Sequence, residues 1–392
     1  MPSESHSDKT PSDHVDDRFA SELSRLKELN AEMARSLKRL EEEARSLVGH
    51  TQENEEAFDQ LIRREGSVWK IPVAEKHRSQ VYPFVPKQER PERPGGRTMR
   101  VVSLINLKGG VGKTTLCGNL AAAFGAANYK IRDGGRAEPL RVLAIDLDFQ
   151  GTLSQRCVRS DALQHAYQSG LTSRALLSGS AKSKGEALAV PCVGSSFAQV
   201  IPADDTLDAE DFRHQAMLAL GIKETRFLYR RLLFKPSFMK QCDLVLIDCP
   251  PRLTSSTVCS LAASDYVLVP TAPDEFDFPA VQRTMNWIGG MQHDLSLPVK
   301  LAGIVLNRTS KVTGLSAREE AIKTRLNGFV TGEFFRQFPS LRERTVPAIL
   351  DSFIPRRTGE NNSINGQPGT PLPGTTAEWF HNLASELYER IF

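Results

Sequence analysis

The residues best suited to chemistry lie between positions 108 and 115, in the order Lys108-Gly109-Gly110-Val111-Gly112-Lys113-Thr114-Thr115. Glycines at 109, 110 and 112 let backbone N–H groups approach phosphate oxygens, because no Cβ stands in the way. Lys113 supplies a positive charge for the β- and γ-phosphates, and the Thr114 hydroxyl is a hard oxygen ligand for Mg²⁺. This segment therefore predicts a site for a triphosphate tail.

The neighbouring sequence supplies the elements that position such a loop. The apolar run 100–105 predicts a strand, and the run 113–124, rich in helix formers and free of proline, predicts a helix. A loop between the two would present phosphate to the positive end of the helix dipole. The alternative is a glycine-rich turn that only tightens strand-to-helix packing, and this strand–loop–helix context disfavours it.

Two further apolar runs end in carboxylates. The run 141–148 delivers Asp146 and Asp148, and the run 243–248 ends at Asp248, just before Pro250 and Pro251. A continuous apolar run suits a strand buried on both faces, and ligands of open α/β sheets bind at the carboxyl ends of the strands. We therefore expect these carboxylates near the phosphate loop. Taken alone, aspartates at a strand end are equally compatible with solvated charge.

Together these segments resemble the ParA/MinD family of ATPases. Leu107 stands where the general G-x-x-x-x-G-K-[ST] pattern has glycine, and K-G-G-V-G-K-T-T, with its extra Lys108, resembles the family's deviant Walker A loop. Asp148 and Asp248 match the family's D-x-D and D-x-P-P segments, although Phe149 replaces the usual proline and Thr152 the usual asparagine. The resemblance covers about residues 99–392 and implies an α/β domain with a doubly wound, mostly parallel sheet.

The resemblance also implies a role for each residue. Lys108 would reach the partner subunit's nucleotide across a dimer interface, Lys113 would hold phosphates, and Thr114 would bind the metal. Asp148 would orient the attacking water and Asp248 would act on the metal's hydration shell, since phosphoryl transfer depends mainly on positioning.

Two later segments resemble the adenine-binding parts of the family. Asn307, at the end of the apolar run 301–306, matches an adenine-reading asparagine, and Pro355 lies in an I-P-R segment whose backbone flanks the base. A strand-end cap is the alternative for Asn307. The predicted nucleotide-binding set is therefore Gly109, Gly110, Val111, Gly112, Lys113, Thr114, Thr115, Asn307 and Pro355.

The function implied by the resemblance is slow, Mg²⁺-dependent ATP hydrolysis by a homodimer that binds DNA without sequence preference. A ParB-like partner would stimulate hydrolysis, and the cycle would drive DNA partition or cargo positioning. One alternative is a nucleotide-switched regulatory or scaffold protein with negligible turnover, favoured by Phe149 beside Asp148. Another is a MinD-like positioning ATPase on membranes. That branch uses a basic amphipathic C-terminal helix, whereas 377–392 is acidic and its apolar stripe predicts packing on the sheet.

The amino-acid composition excludes few of these functions. A net charge of +3 does not by itself imply a polyanionic partner, and scattered basic residues are usually solvated surface. Six cysteines without a C-x-x-C pair predict reduced, buried thiols, and the polar N-terminus lacks an apolar leader. We expect a cytoplasmic, nucleoid-associated protein. The candidates for phosphate contact with DNA are Arg308, Lys311, Lys323, Arg325, Arg356 and Arg357.

An N-terminal extension precedes the ATPase domain, as in the larger partition ParA proteins. We expect a disordered tail at 1–16, a helical extension at 17–86 and an exposed linker at 87–98, followed by the ATPase domain at 99–392. Apolar residues at 19–47 follow a heptad pattern with Asn30 at one core position, which predicts a two-stranded coiled coil. The alternative is an amphipathic helix lying on its own ATPase domain.

The second half of the extension, 51–86, combines Trp69, Tyr82 and Phe84 with basic residues. It is similar in size and order to the family's DNA-binding module. Partner docking and packing are the alternatives.

Overall fold

The computed structural model describes seven stretches of the chain: residues 68–92, 96–127, 138–178, 189–193, 195–342, 347–356 and 375–392. The predicted tail at 1–16 and the heptad segment at 19–47 lie outside the described residues. Both therefore stay predictions. The described residues all belong to one compact unit, Gln60–Phe392.

Eight strands of the described chain form a single sheet in the order β3-β4-β2-β5-β1-β6-β7-β8. All neighbouring pairs are parallel except β3 and β4 at one edge. The strands are β1 Arg100–Leu104, β2 Val142–Asp146, β3 Val190–Pro191, β4 Ala198–Ile201, β5 Leu244–Asp248, β6 Tyr266–Thr271, β7 Lys300–Thr309 and β8 Ile349–Pro355.

Helices cover both faces of the sheet, which confirms the predicted doubly wound α/β fold. The described α-helices are α1 Lys113–Ala126, α2 Thr152–Cys157, α3 Ser160–Gln168, α4 Arg174–Ser178, α5 Leu207–Ala219, α6 Arg230–Leu233, α7 Pro236–Met239, α8 Ser255–Ala263, α9 Phe278–Asp294, α10 Ala317–Phe329, α11 Phe335–Gln337 and α12 Thr375–Ile391. A π-helical turn, Val330–Phe334, joins α10 to α11.

The apolar runs explain why the central strands are buried on both sides. Side chains alternate across a strand, so Val245 and Ile247 join one core while Leu244 and Leu246 join the other. Every residue of β5 is buried. The apolar stripe of α12 is buried in the second core, as its sequence predicts. Among the described residues, no helix combines the length and apolarity that a membrane span requires.

The parallel order brings the carboxyl ends of β1, β2 and β5 together. In the sheet register Asp248 lies opposite Leu104 on one side and Asp146 on the other. The loop that follows β1 is the predicted phosphate loop. The topology therefore places both strand-end carboxylates directly beside that loop.

Residues 68–92, which we call the N-terminal strap, pack against the sheet domain that follows them. The side chain of Trp69 is almost fully buried in the core, and Phe84 meets Phe234 edge to face at a centroid distance of 4.9 Å. Lys70 and Lys76 point to solvent. The aromatic residues thus favour the packing alternative for this stretch, and DNA recognition by the strap stays a prediction.

The structure differs from the predicted exposed linker at Arg90. Its guanidinium is buried and makes two hydrogen bonds to the Asp265 carboxylate, of 2.6 and 2.8 Å. It also donates to the carbonyl oxygens of Val85 and Met99. Composition suggested an exposed segment because arginine and proline are usually solvated, but a bidentate carboxylate in the core makes burial of this arginine favourable.

Candidate functional site

The phosphate loop joins β1 to α1 and requires its glycines. Gly110 and Gly112 have φ angles of 75° and 87°, a left-handed conformation that disfavours residues with a Cβ. A Cβ on Gly112 would lie 2.1 Å from the side-chain nitrogen, Nδ2, of Asn307. The loop lines a cleft of about 820 Å³, together with Lys113, Thr114 and Thr115 at the start of α1.

Lys113 is held inside this loop. Its ammonium donates hydrogen bonds to the carbonyl oxygens of Asn106, at 2.9 Å, and Lys108, at 3.0 Å. Burial lowers the pKa of Lys113, and the nearby Asp248 carboxylate opposes that shift. The arrangement places a positive charge beneath glycine N–H groups at a helix start, which is a site for an anionic phosphate.

Asp146 and Asp248 are buried side by side, but only one of them is satisfied. Asp146 accepts hydrogen bonds from the Ser154 amide and hydroxyl, at 2.9 and 2.6 Å, and burial raises its pKa to about 6. Neither carboxylate oxygen of Asp248 has a hydrogen-bond partner among the described residues. Burial, followed by the neighbouring Asp146, raises the pKa of Asp248 well above its ordinary value, and the nearby Thr114 hydroxyl and Lys113 ammonium oppose that rise.

These residues fit a magnesium ion bound together with a phosphate. An unpaired buried carboxylate is costly unless a cation or a hydrogen bond compensates it, and Asp248 lies near both Thr114 and Lys113. The described residues contain no cluster of three or more acidic, histidine or cysteine ligands. A site with one or two protein oxygens suits Mg²⁺, which retains waters and takes its remaining ligands from phosphate.

Asp148 lines the cleft. It is half-buried, and its carboxylate accepts a hydrogen bond from the Gln150 amide at 3.1 Å. Phe149, in place of the usual proline, packs against the core, and the Arg252 guanidinium lies 5.0 Å from its ring centroid. Asp148 therefore lines the cleft although Phe149 replaces the usual proline beside it.

The cleft is also lined by Asn307, Ile354, Pro355, Trp379 and Phe380. The Asn307 amide nitrogen donates to the Val111 carbonyl at 2.8 Å, and its oxygen accepts from the Arg308 amide at 2.9 Å. The side-chain nitrogen therefore braces the phosphate loop, while the oxygen accepts from the backbone of the next residue. That bracing favours the alternative of a structural role, and adenine reading by Asn307 stays a prediction.

Lys108 lies apart from the other predicted residues. It lines a neighbouring cavity of about 570 Å³, together with Val111, and its ammonium forms an ion pair with Asp277. Asp277 is buried, at 5% exposure, in front of α9. The structure thus gathers the phosphate loop, Asp148 and Pro355 around one cleft, whereas Lys108 is directed away from it.

Sequence reasoning missed several residues that line the cleft. Arg156, on α2, lies with its guanidinium 3.4 Å from the Thr115 hydroxyl, and its position one turn after the Asp148 loop could have suggested it. Trp379 belongs to the apolar stripe of 377–392, for which the sequence predicts only packing on the sheet, yet it also lines the cleft. No local sequence pattern indicates this, because the tertiary fold brings α12 to the cleft from a distant part of the chain.

The predicted DNA contacts are only partly free. Arg308 donates to the Gly110 carbonyl at 2.7 Å, Lys323 pairs with Asp351, and Arg325 pairs with Glu275. Arg357 lies outside the described residues. The structure therefore does not gather these side chains into one unpaired basic surface, and DNA contact by them stays a prediction.

Sequence comparisons find a matching family model and relatives that are named as partition proteins. A family model described as an AAA domain matches residues 99–300. The chain is 30% identical over 224 residues to the chromosome partitioning protein ParA of Caulobacter vibrioides, covering 56% of this chain and 73% of that protein. It is 28% identical over 219 residues to ParA of Myxococcus xanthus, covering 55% of this chain and 68% of that protein.

Solved structures show the same fold at low sequence identity. The ParA protein of pNOB8 superposes with a TM-score of 0.54 at 20% identity, covering 74% of this chain and 98% of that one. Cobyrinic acid a,c-diamide synthase of Mycobacterium smegmatis, bound to an ATP analogue and magnesium, gives a TM-score of 0.52 at 21% identity. The latter match covers 73% of this chain and 93% of the synthase.

Proposed function

We propose that this chain, which belongs to the ParA/MinD family of ATPases, binds MgATP in the cleft of about 820 Å³ and hydrolyses it. The observation that carries this proposal is Asp248, whose buried oxygens have no hydrogen-bond partner among the described residues. They lie close to Thr114 and to Lys113, which the phosphate loop holds by its carbonyl oxygens. A site with unmatched negative charge next to a phosphate-binding cation suits a metal–phosphate complex.

Each residue has a distinct task in the proposed reaction. Lys113 and the loop N–H groups bind and orient the phosphates, and the Thr114 hydroxyl and Asp248 hold the hydrated metal. Magnesium neutralises charge on the phosphate oxygens when it is bound. Asp148, which lines the cleft, orients the attacking water. Phosphoryl transfer needs this positioning more than it needs covalent catalysis.

The proposal extends to a homodimer that binds DNA. Two relatives are named as chromosome partitioning proteins, and one structure of pNOB8 ParA is a complex with nonspecific DNA. We propose that ATP joins two subunits with Lys108 reaching the partner's nucleotide, and that the dimer binds DNA phosphates on the nucleoid. A ParB-like partner would then stimulate hydrolysis and release, as DNA partition or cargo positioning requires.

Steady-state phosphate release tests the enzymatic part. We expect Mg²⁺-dependent release by the wild type and none above background by Lys113→Ala. Lys240→Ala is the matched control, because Lys240 is exposed at the opposite end of the sheet, before β5. Release by the wild type no faster than by Lys113→Ala would reject hydrolysis. It would favour a nucleotide switch with negligible turnover, to which the replacement of proline by Phe149 also points.

Sedimentation with a non-hydrolysable ATP analogue, with and without nonspecific DNA, tests the assembly. We expect nucleotide-dependent association that Lys108→Ala weakens, and cosedimentation with DNA that salt weakens. If the chain associates equally well with and without nucleotide, the dimer contact would instead be assigned to the N-terminal extension. Cosedimentation with liposomes should be absent, since the apolar stripe of α12 is buried in the core.

A further inference from the structure

The short helix α2 presents two of its side chains to the cleft. Thr152 and Arg156 both line the cleft, and they lie on one face of the helix because they are four positions apart. Leu153 and Cys157, on another face, are buried in the second core. The apolar face therefore holds the helix in place, and the polar face extends the wall of the cleft beyond the phosphate loop.

Hydrogen bonds tie the middle of α2 to the strand that precedes it. The Ser154 amide and hydroxyl donate to the Asp146 carboxylate at the end of β2, at 2.9 and 2.6 Å. Arg156 follows two positions later, so its backbone has a fixed place relative to the strand ends. Its guanidinium lies 3.4 Å from the hydroxyl of Thr115, in the first turn of α1. The fold thus brings an arginine to the helix that follows the phosphate loop.

The charge of Arg156 lacks a carboxylate partner among the residues that the structure describes. Arg252, at the rim of the same cleft, pairs with Asp208. Arg156 instead meets the neutral hydroxyl of Thr115, at a distance that is long for a hydrogen bond. An exposed guanidinium without a counter-ion, in a cleft built for phosphate, is available to an anionic ligand. Its planar fork of N–H groups matches two phosphate oxygens.

The position of Thr115 indicates which part of a nucleotide Arg156 would meet. In the proposed site Lys113 takes the β- and γ-phosphates and Thr114 takes the metal beside them. Successive residues of an α-helix point about 100° apart, so the Thr115 side chain lies to one side of these two. The backbone of such a loop also cradles the α-phosphate, which is the phosphate left for the Thr115 side.

We infer that Arg156, together with the Thr115 hydroxyl, binds a phosphate group that ATP and ADP have in common. The inference rests on the proposed function, to which it adds a binding residue outside the phosphate loop. Such a contact is made with ATP before hydrolysis and equally with ADP after it. Arg156 therefore slows the release of ADP, since affinity differences at one site act mainly through the dissociation rate.

Isothermal titration calorimetry of the full-length protein, with ADP and with a non-hydrolysable ATP analogue, each with Mg²⁺, tests the inference. We expect Arg156→Ala to raise both Kd values about tenfold, because it removes a hydrogen bond between charged groups. Arg156→Lys, which keeps the charge but not the fork, should recover part of the loss. The matched control Arg159→Ala removes an exposed arginine that pairs with Asp161, and it should bind both nucleotides as the wild type does.

The two Kd values decide the inference. Unchanged values for both nucleotides in Arg156→Ala would overturn it. A loss confined to the ATP analogue would also overturn it, because Arg156 would then contact the γ-phosphate. If Arg156 only braces α2 against α1, Arg156→Ala would lower the free energy of unfolding of the nucleotide-free protein and leave ADP binding intact, which contradicts the inference. Faster dissociation of a fluorescent ADP from Arg156→Ala, by about tenfold in stopped flow, would support it.

The proposed function fails in a different way. Phosphate release by the wild type at the Lys113→Ala background, with ADP binding still weakened by Arg156→Ala, would reject hydrolysis and retain the inference. Wild-type hydrolysis with ADP affinity independent of Arg156 would do the reverse. Absence of ADP binding by the wild type would reject both.

Discussion

Two regions of the molecule bury charged side chains, and they differ in whether those charges have partners within the protein. In the strap contacts, Arg90 makes a bidentate pair with Asp265, and Arg226 makes one with Glu224. In the phosphate site, Asp248 has no hydrogen-bond partner among the described residues, and Lys113 donates to two carbonyl oxygens. Fully paired buried charge indicates structure, whereas unmatched buried charge indicates a site that a charged ligand completes.

The largest effect should come from breaking a pair in the strap region. Asp265→Ala leaves Arg90 buried without a counter-ion and removes the acceptor of the Val101 amide, at 2.9 Å. We expect the free energy of unfolding in urea to fall by about 3–5 kcal/mol. Glu275→Ala, which breaks the exposed pair with Arg325, should lower it by no more than about 1 kcal/mol. If the two variants lose the same free energy of unfolding, burial does not make the Arg90 pair more stabilising than the exposed Arg325 pair.

Asp211 provides the strictest test of this comparison, because it is buried, has no cationic partner among the residues that the structure describes and lies outside the cleft. It accepts from the Ser256 amide and hydroxyl at 2.6 and 2.8 Å, and burial raises its pKa to about 7. A raised folded-state pKa means that the folded protein binds the proton more tightly. Its stabilising contribution is therefore complete below about pH 4 and is lost as the pH rises to about 7.

The measurement is urea unfolding of the wild type and Asp211→Asn at pH 4.5 and pH 8. We expect the wild type to lose on the order of 3 kcal/mol more than the variant over this range. If wild type and Asp211→Asn lose the same stability between the two pH values, Asp211 keeps its charge in the folded protein without a cation or ligand. A buried charge without a counter-ion would then not indicate a ligand-binding site.

Within the site, removing the unmatched charge should stabilise the protein and abolish the proposed ATP hydrolysis. Asp248→Asn eliminates the cost of a buried carboxylate, so we expect nucleotide-free protein at pH 8 to gain about 1–3 kcal/mol. Phosphate release should fall to the Lys113→Ala background. Asp351→Asn, at an exposed carboxylate, should change neither quantity appreciably. A destabilised Asp248→Asn protein would instead point to a structural partner for Asp248.

The two regions also differ in how far the sequence predicts them. The phosphate loop, Asp148 and Asp248 follow from local patterns, since glycine spacing and strand-end carboxylates fix their own geometry. The doubly wound sheet follows from the apolar runs. The partners of Arg90 and Lys108 lie 175 and 169 positions further along the chain, at Asp265 and Asp277. No local pattern pairs such residues, so an arginine-rich stretch suggested an exposed linker.

The smallest effect should come from a charge at the rim of the cleft. Arg252 is paired with Asp208 and lies over the Phe149 ring, but 44% of its side chain is exposed. Water already solvates much of this charge, so Arg252→Ala should lower the free energy of unfolding by less than about 1 kcal/mol. Urea unfolding beside Asp265→Ala provides the measurement. A loss as large as that of Asp265→Ala would mean that the Phe149 loop, and not burial of charge, stabilises this end of the sheet.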